Sequence, residues 1–107
     1  MLRGTMTLLV LLSLTSAANA FTCRLEVEGR VFMDGRCQYE EDPDGSFRFF
    51  DEGSPRMFVY VNMNGDETAQ GYWPGPDGGT HAHDNLGTLA RDGACWRNTS
   101  ARVCAWQ

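Results

Sequence analysis

Gly, Pro, Asn and Asp recur every several residues from Phe21 to Gln107, with only short apolar runs between them. No segment there reads as a long amphipathic helix. Short strands divided by turn residues predict an all-β domain. Seven or eight such strands in one small domain predict an antiparallel meander that closes into a barrel or sandwich, because closure removes exposed strand edges.

The alternation within the runs refines this. Cys23, Leu25 and Val27 interleave with Arg24, Glu26 and Glu28, giving one buried and one wet face. Gly29 permits a tight turn or bulge before Arg30 to Met33, and Asp34-Gly35 is a strong hairpin turn signal. An acidic turn is expected over Glu40 to Gly45, followed by a strand with Phe47 and Phe49 on one side. Met57 to Met63 is the most apolar run and belongs centrally in a sheet. Asn64-Gly65 turns the chain, Thr68 to Trp73 returns, and Pro74 to Thr80 forms an irregular loop. Leu86 to Ala90 reads as a strand, and a last hairpin runs from Ala94 to Trp106.

The segment before Phe21 has a different character. Arg3 precedes the apolar run Met6 to Leu14, and Ala18-Asn19-Ala20 offers a small-residue cleavage site. This layout predicts a signal peptide over 1–20 and a single exported β-domain over 21–107, periplasmic or secreted. The apolar run is shorter than the roughly 20 residues of a membrane-spanning helix. Phe21-Thr22 stand between the cleavage site and Cys23, so no lipid anchor is expected. Residues 21–107 keep eight of nine basic residues, all arginine, and all fourteen acidic ones, for a net charge of −6. That sign disfavours nucleic acid and anionic membrane as partners and suits a basic one.

An exported domain of this size commonly needs covalent staples. Centring the last turn on Thr99-Ser100 sets Trp96 against Val103 and Cys95 against Cys104, close enough for a bridge. Cys23 and Cys37 are then left to pair across the first hairpin. Joining Cys23 to Cys104, which would tie the two ends, is the competing connectivity. Structural zinc favours closely spaced Cys-x-x-Cys pairs, and none occur.

Candidate chemistry is sparse. His81 and His83 share one face of an extended segment and with Asp84 form the one candidate metal cluster. Asp42 to Gly45 and Asn62 to Glu67 resemble calcium loops superficially, but neither follows the EF-hand spacing and turn chemistry accounts for both. No nucleophile elbow is present, and two bridges leave no free thiol. The expectation is a protein without catalytic residues or cofactor. Tyr72 and Trp73 stand at the entry of the Gly- and Pro-rich loop, where rings can anchor a protein partner or stack on a glycan. Asn98-Thr99-Ser100 matches a glycosylation sequon and equally a turn.

Cys23 to Val27, Asp34 to Cys37, His81 to Asp84, Leu86 to Leu89, Arg91 to Asn98 and Ala101 to Trp106 together resemble an uncharacterised group of small exported bacterial proteins with paired cysteines. The resemblance implies export and two bridges, and no activity. Size, export and an all-β reading are also similar to the C-type lysozyme inhibitors. Their Ser-Gly-x-x-Tyr motif is missing at Ser54 to Phe58, so the likeness is architectural and carries over no contact residue. The resulting expectation is a periplasmic or secreted binding module, an inhibitor of an envelope-directed enzyme in its sharper form. A metal-binding protein using His81 and His83, or a structural envelope component, is the alternative.

Overall fold

A computed structural model describes residues 20–107, so the expected signal peptide lies outside the described residues apart from Ala20. Eight antiparallel strands follow in chain order: β1 (Phe21–Val27), β2 (Arg30–Glu41), β3 (Phe47–Asp51), β4 (Phe58–Met63), β5 (Thr68–Trp73), β6 (Asp84–Asp92), β7 (Cys95–Arg97) and β8 (Ala101–Trp106). Each pairs with the next, and β8 pairs with β1 to close the barrel. The all-β expectation, the meander and its closure are all realised, as a barrel. An eight-stranded barrel has an interior just wide enough for side chains to fill. Among the described residues, no helix is long and apolar enough to cross a membrane.

Strand alternation supplies the filling. Leu25, Phe49, Val59, Val61, Leu89 and Val103 point inward and are fully buried. Phe21, Tyr39, Phe47 and Phe49 stack in sequence, with ring centroids 4.2, 5.5 and 6.1 Å apart. Gly71 is required where the interior is tightest: a Cβ there would lie 2.9 Å from Leu89 Cδ1 and 3.2 Å from Leu86 Cβ.

The first hairpin corrects one expectation. Asp34-Gly35 does not turn the chain; it lies within β2, where Asp34 pairs with Arg24 in an ion pair of 2.9 Å. The turn is Glu28-Gly29, with φ of 52° and 80°. Two consecutive positive φ values are what a two-residue type I′ turn demands. The Glu28 amide also donates to Ser100 O at 2.7 Å, tying this turn to the last one.

Two bulges shape one end of the barrel. Pairing shifts between Leu25 and Glu26, leaving Phe32 as the additional residue, and again beyond Gly71, where Leu86 is additional. Phe32 packs edge-on against Trp73 with centroids 4.9 Å apart.

Both bridges form as expected, Cys23–Cys37 and Cys95–Cys104. They occupy opposite sides of the wall. Cys23 and Cys37 are diagonal neighbours inside the barrel, because Cys23 stands opposite Gly35 and Phe21 opposite Cys37. Cys95 stands directly opposite Cys104, and Trp96 opposite Val103, in the expected register. There Trp96 points inward, so the adjacent bridge lies on the outer face.

Candidate functional site

The barrel has two mouths. At one, four connections converge: residues 28–29, 52–57, 74–83 and 98–100. The longest is the expected Gly- and Pro-rich loop, and it is anchored. Gly79 N donates to Arg56 O at 2.9 Å and Gly78 N to Gly75 O at 3.1 Å, while Pro74 and Gly75 are buried. The loop returns along the rim and delivers His83 and Asp84 to a concavity of about 420 Å³. Trp73, Leu86, Glu28 and Ser100 form other parts of its lining.

The predicted residues divide over this geometry. Trp73, His83 and Asp84 meet in the concavity. Trp73 is only 5 % exposed and belongs to the core cluster, so it offers an edge and not a stacking platform. Tyr72 faces away, on the outer surface, where it stands opposite Tyr60 of β4. His81 Nδ1 lies 3.1 Å from Thr80 Oγ1 and does not line the concavity. His83 Nε2 and Asp84 Oδ1 are 3.7 Å apart. Among the described residues, no three His, Cys, Asp or Glu side chains come together as a metal site.

The acidic turns are occupied by their own backbone. Asp44 accepts from Ser46 N at 2.8 Å and Ser46 Oγ at 3.1 Å, and Asp66 accepts from Thr68 N and Thr68 Oγ1. These bonds hold both carboxyls below the usual carboxylate range. All four cysteines are bridged.

Asn98 organises the last turn. Its Oδ1 accepts from Ser100 N at 2.7 Å and Ala101 N at 2.8 Å. Its Nδ2 donates to Leu86 O at 2.8 Å and Thr88 O at 3.1 Å, holding the β6 bulge. The amide nitrogen of the sequon is thus engaged in the fold, which favours the turn reading.

The opposite mouth holds residues that the sequence reading passed over. A cup of about 210 Å³ is lined by Tyr39, Glu41, Phe47, Met63, Arg91 and Trp96, with small residues completing it. Tyr39 Oη donates to Glu41 Oε1 at 2.8 Å. Burial, this bond and the Glu41 charge push the Tyr39 phenol well above its ordinary pKa, with Arg91 opposing. Arg91 Nε donates to Gly93 O at 2.8 Å, and the guanidinium lies over the Trp96 ring, 5.5 Å from its centroid. A usable signal was present. Tyr39 and Glu41 continue the phase of inward Cys37, and Arg91 that of inward Leu89.

Comparison with protein-family models, with curated proteins and with solved structures finds no match to this chain. The functional reading therefore rests on the site itself.

Proposed function

We propose that the chain is an exported binding module without catalytic activity, whose loop-side mouth receives a basic group of a protein partner. The observation that carries this reading is the convergence of Glu28, His83 and Asp84 around one open concavity, on a chain of net charge −5. Two carboxylates at the rim favour a lysine or arginine side chain, and the surrounding negative field speeds its encounter. The edges of Trp73 and Leu86 offer contact to the aliphatic stem of such a side chain. The rim is fixed by backbone bonds from Gly79 to Arg56 and from Glu28 to Ser100, which lowers the ordering cost of binding.

Bridged cysteines and a wall of paired strands suit an oxidising compartment outside the cytoplasm. Basic enzymes that act on the cell envelope work in that compartment, and the sharper reading is an inhibitor of one of them. Hydrolysis of cell-wall material by a basic peptidoglycan hydrolase, measured with and without the purified protein, tests it. Stoichiometric loss of hydrolase activity at low salt is expected. Unchanged activity with excess protein would remove the inhibitor reading.

A further inference from the structure

The opposite mouth carries an inference independent of the loop-side site. Its cup places a carboxylate, Glu41, and a guanidinium, Arg91, in the lining of one small space, yet among the described residues the two make no ion pair with each other. Each retains binding capacity. Glu41 uses Oε1 for Tyr39, and Arg91 uses Nε for Gly93 O, leaving its terminal nitrogens without a protein acceptor among the described residues. Phe47, Met63 and Trp96 supply the apolar part of the same lining. At about 30 Å³ per water, 210 Å³ corresponds to roughly seven waters, comparable in size with free leucine.

Opposite charges that share a cup without closing on each other match a ligand carrying both complementary charges. We propose that this cup binds a free α-amino acid with an apolar side chain. Its ammonium pairs with Glu41, its carboxylate with the terminal nitrogens of Arg91, and its side chain rests on Phe47 and Met63. The Arg91 guanidinium is planar and suits bidentate recognition of a carboxylate. Its hydrogen bond to Gly93 O and its position over Trp96 restrict it before any ligand arrives. The Tyr39 hydroxyl steadies Glu41 in the same way.

Peptide ends offer one of the two charges each, so blocked ligands separate the sources. The test is calorimetric titration of the protein with L-leucine, leucinamide and N-acetylleucine, with amide NMR shifts to locate the site. L-leucine is expected to bind at least roughly tenfold more tightly than either analogue, the factor one charge-assisted hydrogen bond supplies. Shifts should centre on Tyr39, Glu41, Arg91 and Trp96. Glu41→Gln should cost leucine roughly tenfold while leaving N-acetylleucine unchanged, and Arg91→Gln should do the same with leucinamide. No saturable leucine binding, shifts elsewhere, or equal affinities for all three ligands would overturn the assignment. Tighter binding of one analogue would assign the cup to a peptide end instead and equally overturn it. The three ligands are compared on the unaltered protein, so an unfolded variant does not obscure the outcome.

Discussion

Removing the two bridges one at a time should separate an inner staple from an outer one. In the chain-entropy account, the Cys95–Cys104 bridge, with a sequence separation of 9, contributes about 2.7 kcal/mol. The Cys23–Cys37 bridge, with a separation of 14, contributes about 3 kcal/mol by the same relation. Chain entropy alone therefore makes them nearly equal. Burial does not. Cys23 is 0 % and Cys37 2 % exposed, so replacing both with alanine vacates two sulfur positions inside a packed interior. A void of methyl size costs about 1 kcal/mol, which raises the inner loss to about 5 kcal/mol. In the outer bridge only Cys104 is buried, at 3 % exposed, while Cys95 is half-buried, so solvent reaches the space that one of its two sulfurs leaves. Cys95→Ala with Cys104→Ala should thus cost about 4 kcal/mol, and Cys23→Ala with Cys37→Ala about 1 kcal/mol more. Urea unfolding followed by near-ultraviolet circular dichroism reads both losses from the midpoints. An outer-bridge variant as unstable as the inner one, or more so, would refute the assignment of the two bridges to opposite sides of the wall.

Other perturbations probe the packing and the mouths. Gly71→Ala should destabilise by about 1–3 kcal/mol, because the added methyl meets Leu86 Cβ, which cannot rotate away; a denaturant midpoint at or above the parent's would contradict this. Asn98→Ala removes two donated and two accepted hydrogen bonds and should cost about 2–4 kcal/mol in the same assay, with the largest rise in amide exchange around Leu86 and Ala101. Tyr39 has a raised pKa in the folded state, so the stability it contributes is fully present below its ordinary value of about 10 and is lost as pH rises further. The difference between ultraviolet titrations of the parent and Tyr39→Phe should place this phenolate above that ordinary value; ionisation at or below it would contradict the partial burial of Tyr39 and its hydrogen bond to Glu41.

Much of the wall was legible because alternation and turn chemistry are local. The register of the last hairpin followed from one turn centre, and with it the pair Cys95 and Cys104. The first hairpin misled because Asp34-Gly35 carries the better local turn signal, whereas Glu28 adopts positive φ at a cost that sequence preference does not advertise. Cross-strand pairing of Arg24 with Asp34 and the inner bridge override that local preference. The mouths were less legible, since they depend on which strand ends share a rim. Tyr72 and Trp73 are adjacent, and alternation sends one outward and the other into the core. His81 and His83 share a phase only if the segment is a strand, but β6 begins at Asp84 and the loop before it separates them. Glu28, Glu41 and Arg91 gained significance only once closure brought distant strands together.

The central claim concerns the acidic loop-side mouth, and one binding titration tests it most directly. The purified protein is titrated with a basic peptidoglycan hydrolase at about 0.01 M and about 0.15 M salt, where the screening length falls from about 30 to about 8 Å. The same titration is made with a Glu28→Gln, Asp84→Asn variant. Saturable binding at low salt, weakened by salt and by at least roughly tenfold in the variant, is the predicted result. Absence of binding at low salt, or equal affinity for the parent and the variant, would contradict it.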